Sequence, residues 1–263
     1  MTRIGWLADQ AGAFWGGAEL SSDELVRAAP PSVEIVACPP EAIEEDVDAY
    51  VVMNCVSYDA SCIPALSRRP VIRSVRDQWP IGDDAVREWM LCNARLTIFN
   101  SLPHLKWFAW PVATPTAYVP PPIDVAKFRV AAAKATHREG TIWIGGFHRN
   151  KGIFEAVAWA NNKKAEVHFY GAGTWRPWPT KYVRLMGLVN YEDVPDLMAR
   201  HRSFLYISRS VESFGRTIAE AWASGLELMV EGITGATWWI KHEPAALEHG
   251  AEKFWDLTLN AIS

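Results

Sequence analysis

Short apolar runs alternate with helical segments along the whole chain, and each run is about as long as a strand. The predicted strands occupy residues 3–7, 33–36, 50–53, 71–75, 96–99, 117–119, 141–144, 166–170, 182–185, 204–207 and 227–230. Such alternation places helices on both faces of a mostly parallel sheet. The sequence therefore predicts an α/β protein built from parallel sheets.

A run of three prolines, Pro120 to Pro122, interrupts this alternation because it continues neither a helix nor a strand. Residues 130–139, rich in Ala, Lys and Arg, are interpreted as an exposed linker. A chain of 263 residues suits two small domains. The predicted division is a first domain of residues 1–128, a second of 129–245 containing a loop over 232–237, and a final helical segment of 246–263.

Composition is that of an ordinary globular protein, with 49% hydrophobic and 21% charged residues. No apolar run approaches the ~20 residues of a membrane span, and the N-terminus does not resemble a signal peptide. The four cysteines form no CxxC pair, and we expect them to be reduced thiols in or near the core of a cytoplasmic protein. Asp46 and Asp48 precede a predicted strand instead of following one, so no metal site is predicted there.

The two halves differ in charge. Residues 1–128 carry 10 Lys and Arg against 16 Asp and Glu, whereas residues 129–263 carry 16 against 14. An acidic first half is unfavourable for a polyanionic partner such as DNA. Four arginines in that half would oppose this bias if they gathered into one basic strip: Arg68, Arg69, Arg73 and Arg76.

The stretch 204–225 combines a predicted buried strand, a loop of small residues and a helix that opens near Gly215. Unpaired amide groups and the helix dipole favour a phosphate at such a helix start. Two carboxylates, Glu212 and Glu220, lie in this loop and helix with seven residues between them. Glu220 is placed to accept hydrogen bonds from a sugar hydroxyl group, and Glu212 lies in the loop, nearer the reacting end of the ligand.

Three glycine-rich turns follow other predicted strands. They contain Gly16 and Gly17, Gly145 and Gly146, and Gly171 and Gly173. Glycines allow the backbone to approach a ligand closely. Arg149 and Lys151 follow the second turn at a helix start, which predicts a phosphate-binding loop.

The pattern Glu212-x7-Glu220, with Phe214-Gly215 after the first glutamate, resembles the signature of the retaining glycosyltransferases of family 4, which have the GT-B fold. Lys151-Gly152 is similar to the end of that family's G-R-(x)4-K-G element, although Gly146 stands at the Arg position. The turns at Gly16-Gly17 and Gly171-x-Gly173 resemble two further family elements, and residues 187–189 resemble the segment that contacts the base.

This resemblance implies two Rossmann-like domains with parallel sheets facing across a cleft, and sugar transfer from a nucleotide diphosphate sugar with retention and without a metal. Uridine is the commonest donor base in the family, and the final helix crosses back to the first domain. Lys151, with Arg149 as a substitute for the missing arginine, would neutralise the diphosphate; Glu212 would bind the sugar and Glu220 the ribose. The implied donor-binding residues also include Gly16, Gly17, Gly145, Gly146, Gly171, Gly173, Ser213, Phe214, Gly215 and Arg216.

On the acceptor side the candidates are Arg76, which stands where the family often has histidine, Asp77 and Trp15. The sequence leaves four classes of acceptor open: a saccharide, a lipid, a protein or a hydroxymethylated base of phage DNA. It does not predict the oligomeric state. One alternative is a non-catalytic partner subunit that binds a nucleotide sugar. Two other classes of enzyme are less favoured. The sequence lacks the acid/base carboxylates and histidine of a GT-B epimerase, and it lacks the G-x-G-x-x-G turn of a dinucleotide-binding dehydrogenase.

Overall fold

A computed structural model describes residues 1–8, 16–53, 57–77 and 83–263. The chain forms two compact units, one of Met1–Pro122 with Ala245–Ser263 and the other of Ile123–Pro244. The predicted acceptor residue Trp15 lies outside the described residues, as does Cys55.

The first unit contains a six-stranded parallel sheet in the order β2-β1-β3-β4-β5-β6. Its strands are β1 (Thr2–Leu7), β2 (Val33–Ala37), β3 (Ala49–Val52), β4 (Val71–Ser74), β5 (Leu96–Phe99) and β6 (Thr116–Tyr118). Its first four helices are α1 (Gly17–Arg27), α2 (Ile63–Leu66), α3 (Asp84–Asn93) and α4 (Leu102–Trp107). All strand pairs are parallel, as predicted.

Strand β3 is buried on both faces. Tyr50 and Val52 pack in an apolar cluster that includes residues of α3, whereas Ala49 and Val51 pack in a second cluster that includes Leu25 of α1. Successive side chains of a strand point to opposite faces, so the two clusters lie on the two sides of the sheet. This arrangement confirms the predicted parallel sheet covered on both faces.

The second unit contains a five-stranded parallel sheet in the order β11-β10-β7-β8-β9. Its strands are β7 (Thr141–Ile144), β8 (Val167–Tyr170), β9 (Val183–Gly187), β10 (Ser203–Ile207) and β11 (Glu227–Glu231). Its helices are α5 (Val125–Lys134), α6 (Ile153–Lys163), α7 (Val194–Ala199), α8 (Arg216–Ala223) and α9 (Gly235–His242). Trp143 and Phe169 are fully buried where α6 covers the sheet.

Two segments of the second unit differ from the prediction. Residues 130–134 belong to helix α5, not to a linker, because Asp124 caps the helix and Val125, Phe128 and Ala131 are buried. The second unit consequently begins at Ile123 and not at 129. The predicted loop 232–237 contains the start of α9, where the Thr234 side chain accepts a hydrogen bond from the Thr237 amide.

The last helix, α10 (Gly250–Ile262), groups with the first unit. Phe254 and Trp255 pack in the same cluster as Trp6, and Trp255 Nε1 donates to Leu25 O over 3.0 Å. Gly250 lies so close to the proline run that a Cβ atom there would be 2.5 Å from Pro120 O. The helix therefore completes the core of the first unit.

Of the helices in the described ranges, none is both long and apolar enough to cross a membrane. Cys38 and Cys62 are buried free thiols. Cys92 is exposed, contrary to the expectation that the cysteines lie in or near the core.

Candidate functional site

The loops that follow β7 and β8 are joined at the carboxyl edge of the second sheet, where parallel α/β sheets bind ligands. Gly145 N donates to Tyr170 O over 3.1 Å, and Phe147 N donates to Ala172 O over 2.8 Å. The predicted glycine turns at 145–146 and 171–173 are thus brought together at one edge.

Close backbone packing requires two glycines near this edge, Gly152 before α6 and Gly171 after β8. A Cβ atom on Gly152 would lie 1.5 Å from Ile207 O, and one on Gly171 would lie 1.9 Å from Gly145 O. Both residues also have positive φ, of 67° and 146°. The glycines therefore let the loops after β7, β8 and β10 pack directly on one another.

Lys151 and Glu212, assigned from the sequence to the same site, form an ion pair. Lys151 Nζ lies 2.6 Å from Glu212 Oε2, and the Tyr206 hydroxyl donates to the same oxygen over 2.7 Å. The Lys151 side chain is 34% exposed and that of Glu212 is 15% exposed, so the pair lies at the surface of the second unit. Arg149 is exposed, and no described residue bonds its side chain.

Backbone contacts hold the Glu212 loop against the segment that leads into α9. Glu212 N donates to Ile233 O over 2.9 Å, and Gly235 N donates to Glu212 O over 3.0 Å. The buried Phe214 accepts a hydrogen bond from Ala236 N over 2.7 Å. The start of helix α9, which the sequence did not predict, therefore fixes the backbone of the Glu212 loop.

Tyr206, at the end of β10, is 3% exposed. Burial, together with the nearby Glu212 charge, raises the pKa of Tyr206 well above its usual value of 10.0. The hydroxyl is consequently protonated at neutral pH and serves as a donor to Glu212. The sequence does not single out Tyr206, because this residue lies within an apolar strand.

Glu220 is 1% exposed, unlike the solvent-facing carboxylate expected of a ligand for hydroxyl groups. Arg216 Nε and the Tyr191 hydroxyl both donate to Glu220 Oε1 over 2.8 Å, and Arg216 Nη2 donates to the Tyr191 hydroxyl over 2.7 Å. Because Glu220 is buried and its Oε1 already accepts these two hydrogen bonds, the carboxylate is not open to an external hydroxyl in this structure. The i,i+4 spacing of Arg216 and Glu220 is the sequence signal for this pair.

The start of α8 lies beside Glu212. Gly215 caps the helix with φ of 85°, and a Cβ atom on it would lie 3.4 Å from Glu212 Cγ. Ser213 and Phe214 are buried. A helix N-terminus, a lysine and a carboxylate thus converge at the edge of the second sheet, an arrangement that suits an anion bearing hydroxyl groups.

Arg76 does not face solvent in the first unit. It is 7% exposed, and its Nη1 donates to Asn100 Oδ1 over 3.0 Å while Asn100 Nδ2 donates to Arg76 O over 3.1 Å. The exposed Asp77 is held through its carbonyl oxygen, which lies 2.9 Å from His104 Nε2. Arg76 therefore joins the ends of β4 and β5.

The four arginines proposed for a basic strip, Arg68, Arg69, Arg73 and Arg76, do not form one at the surface. Arg73 is buried and donates to Met53 O over 2.8 Å, and Arg76 is buried as described. Arg68 pairs with Glu45 at the surface. Gly16 caps α1 in an extended conformation, and Gly17 is exposed as the first residue of that helix.

Within the described ranges, no group of three His, Cys, Asp or Glu side chains is placed to hold a metal ion.

No protein-family model matches the sequence, and no curated protein matches it. Similar solved structures include HepE from Anabaena in complex with UDP and glucose, with a TM-score of 0.69, 16% identity, and coverage of 100% of this chain and 92% of that chain. AviGT4, a glycosyltransferase involved in avilamycin A biosynthesis, gives a TM-score of 0.63 at 16% identity over 96% and 88% of the two chains. An E. coli structure described as trehalose-6-phosphate with UDP-2-fluoro glucose gives 0.57 at 9% identity over 99% and 96%.

These likenesses, with two parallel sheets of six and five strands, show that the chain has the GT-B fold. Sequence identities of 9–16% support an assignment of the fold alone, because one fold hosts many functions. Membership of family 4 stays a prediction.

Proposed function

We propose that this protein is a glycosyltransferase that uses a nucleoside diphosphate sugar, with UDP as the leaving group, and that the carboxyl edge of the second sheet binds this donor. The observation that carries the proposal is the convergence of Lys151, Glu212 and the start of α8 in a GT-B fold. Two of the similar structures contain UDP or a UDP sugar, which supports the choice of donor.

In this proposal Lys151 binds the diphosphate, and Glu212 binds hydroxyl groups of the sugar. A diphosphate carries more charge than one carboxylate, so it competes with Glu212 for the Lys151 ammonium group. Tyr206 continues to hold Glu212 when that ion pair is lost, because its hydroxyl donates to the same oxygen. Amide groups of Phe214, Gly215 and Arg216 would support the charge that develops on the leaving group.

Retention, metal independence and a cytoplasmic location belong to the same proposal. Retention rests on the resemblance to family 4 and is tested by NMR of the anomeric configuration of the product. Metal independence predicts unchanged transfer in the presence of EDTA. The cytoplasmic location rests on the free thiols Cys38 and Cys62.

Calorimetry against UDP, GDP, ADP and their glucose derivatives tests the donor site. We expect one diphosphate to bind, with an affinity about tenfold or more weaker in Lys151→Ala, since charged hydrogen bonds contribute about 1.5–3 kcal/mol. Lys163→Ala, which removes an exposed lysine at the end of α6, is the matched control. Binding of no diphosphate, or equal binding by Lys151→Ala and the wild type, would contradict the assignment.

The role of Glu220 needs a separate experiment because Glu220→Ala leaves the buried Arg216 without its counter-charge. If Glu220 binds the ribose, Glu220→Gln should reduce the preference for UDP over 2′-deoxy-UDP. If Glu220 only stabilises α8 and Tyr191, the melting temperature should fall while that preference stays unchanged. The ratio of the two affinities thus separates the roles.

A second candidate is a non-catalytic subunit that binds the nucleotide sugar. The observation in its favour is that Gly146 stands where family 4 has arginine, while the side chain of Arg149 bonds no described residue. Hydrolysis or transfer of the donor by the purified chain, screened with saccharide, lipid, protein and hydroxymethylated DNA acceptors, would exclude this candidate. Donor binding without turnover would support it.

A further inference from the structure

We propose that a surface of the second unit, formed by residues 174–181, Phe154 and Leu188, docks the protein on an anionic membrane. Residues 174–181, here named the tryptophan loop, follow the glycine turn after β8. Leu188 belongs to the segment 187–189 that resembles a base-contacting element. The other residues of the surface lie outside those assigned to the donor, and the test does not use the donor.

Large apolar side chains are concentrated and exposed on this surface. Trp178 is 87% exposed, Leu188 79%, Trp175 47% and Phe154 40%. The rings of Phe154 and Trp175 contact each other edge to face at 6.0 Å. Gly171 N donates to Gly187 O over 2.8 Å, which places Leu188 next to the glycine turn that leads into the tryptophan loop. Clusters of this kind mark interaction sites in soluble proteins.

The charge around the tryptophan loop is positive although the chain as a whole carries −4. No Asp or Glu occurs between Glu166 and Glu192. Arg176 and Lys181 lie within the loop, and both are exposed. Thr180 Oγ1 donates to Asn161 Oδ1 over 2.8 Å, so the end of the loop adjoins the end of α6, where Lys163 and Lys164 add two exposed cations.

The loop is held at both ends and stiffened between them. Trp175 N donates to Phe147 O over 3.0 Å, and the Thr180 hydroxyl bonds to α6 as described. Pro177 and Pro179 flank Trp178 and fix the backbone angle φ on either side of it. Binding of Trp178 to a partner surface therefore costs little backbone conformational entropy.

An anionic lipid surface fits these features. Indole rings favour the membrane interface, and basic side chains near an anionic leaflet strengthen the attachment. Stable peripheral binding combines an apolar and a basic contribution, and both are present here. Single-stranded nucleic acid would stack on the indoles, but the exposed aliphatic side chain of Leu188 offers no stacking face.

The test is co-sedimentation of the full chain with vesicles of phosphatidylcholine alone or mixed with phosphatidylglycerol. We expect binding to the mixed vesicles only, weakened at high ionic strength. Trp175→Ala with Trp178→Ala, and separately Arg176→Glu with Lys181→Glu, should each weaken it about tenfold or more. Trp107→Ala removes an exposed tryptophan of the first unit and should bind as the wild type does.

Circular dichroism of each variant verifies that it is folded. No binding of the wild type to either kind of vesicle would overturn the proposal, as would equal binding by the folded tryptophan variant. Binding of the wild type to a single-stranded oligothymidine in place of vesicles would assign the surface to nucleic acid and also overturn it.

Discussion

Lys151 and Tyr206 reach the same oxygen of Glu212 from two different elements, so each can be removed separately. Tyr206→Phe removes only the hydroxyl that fixes the carboxylate. We expect its affinity for UDP-glucose to fall about tenfold relative to its affinity for UDP, since a hydrogen bond to a charged group contributes about 1.5–3 kcal/mol. Calorimetry with both ligands measures this ratio.

Tyr182→Phe is the control, because the Tyr182 hydroxyl bonds no described residue. If Tyr206→Phe lowered the melting temperature and left the ratio of affinities unchanged, Tyr206 would stabilise the fold without positioning Glu212.

Gly152 and Gly140 share a φ of 67° but differ in their surroundings. Nothing lies within 4 Å of a Cβ atom built on Gly140, whereas one on Gly152 would lie 1.5 Å from Ile207 O. We expect Gly140→Ala to lower the free energy of unfolding by about 1–2 kcal/mol through backbone strain alone. Gly152→Ala should cost about 3 kcal/mol or more, because overpacking adds to that strain. Urea denaturation of both variants measures the difference, and equal losses would contradict the packing argument.

The sequence placed Lys151 and Glu212 in one site because each belongs to a spaced motif. It could not reveal Tyr206, since a tyrosine within an apolar run is indistinguishable from a core residue until its hydroxyl finds a partner. The ion pair of Arg216 with Glu220 follows from their spacing on one helix. Its complete burial, and the third member Tyr191, depend on packing that no local pattern encodes.

At the level of elements, helix α7 is joined to β8 through two histidines. His201, just after α7, is 5% exposed, and its Nδ1 lies 2.9 Å from Leu197 O and therefore donates to it. Its Nε2 accepts from His168 Nδ1 over 3.0 Å. Burial lowers the pKa of His201 below its usual 6.5, with a smaller contribution in the same direction from His168.

This shift in pKa predicts how stability depends on pH. In the unfolded chain His201 titrates near 6.5, so below that pH the unfolded state binds a proton that the folded state does not. The free energy of unfolding should therefore fall as the pH decreases from about 7 to about 5.5. In His201→Gln this fall should be smaller, whereas His137→Gln, at an exposed histidine, should behave as the wild type does. Urea denaturation across this range measures the slopes, and equal slopes for His201→Gln and the wild type would contradict the prediction.

The strands were predicted to within two residues at each end because buried parallel strands are continuous apolar runs bounded by turn residues. Residues 130–134 of helix α5 are predicted to belong to a linker because Ala, Lys and Arg are typical of an exposed segment, although Asp124 is a cap signal. Helix α9 is not predicted because the two glycines and two threonines of residues 232–237 are typical of loops. Short helices of this kind depend on tertiary packing more than on propensity.

At the scale of the whole molecule, α10 supplies two large aromatic side chains to the core of the first unit. Trp255 is 1% exposed, so Trp255→Ala should lower the free energy of unfolding of that unit by about 3–5 kcal/mol. Limited proteolysis should then cleave residues 1–122 before the segment 123–244. Lys253→Ala, at an exposed position of the same helix, is the control. Unchanged protection of the first unit in Trp255→Ala would contradict this role for the helix.

The first unit is built from both ends of the chain, whereas the second is one continuous segment. During synthesis on the ribosome, residues 123–244 are thus all present before the first unit has its last helix. Until Phe254 and Trp255 emerge, Trp6 and Leu25 lack some of the side chains that bury them. The nascent chain therefore exposes an apolar face to chaperones and to neighbouring chains. Residues that are translated after the second unit thereby determine when the apolar face of residues 1–122 becomes protected from aggregation.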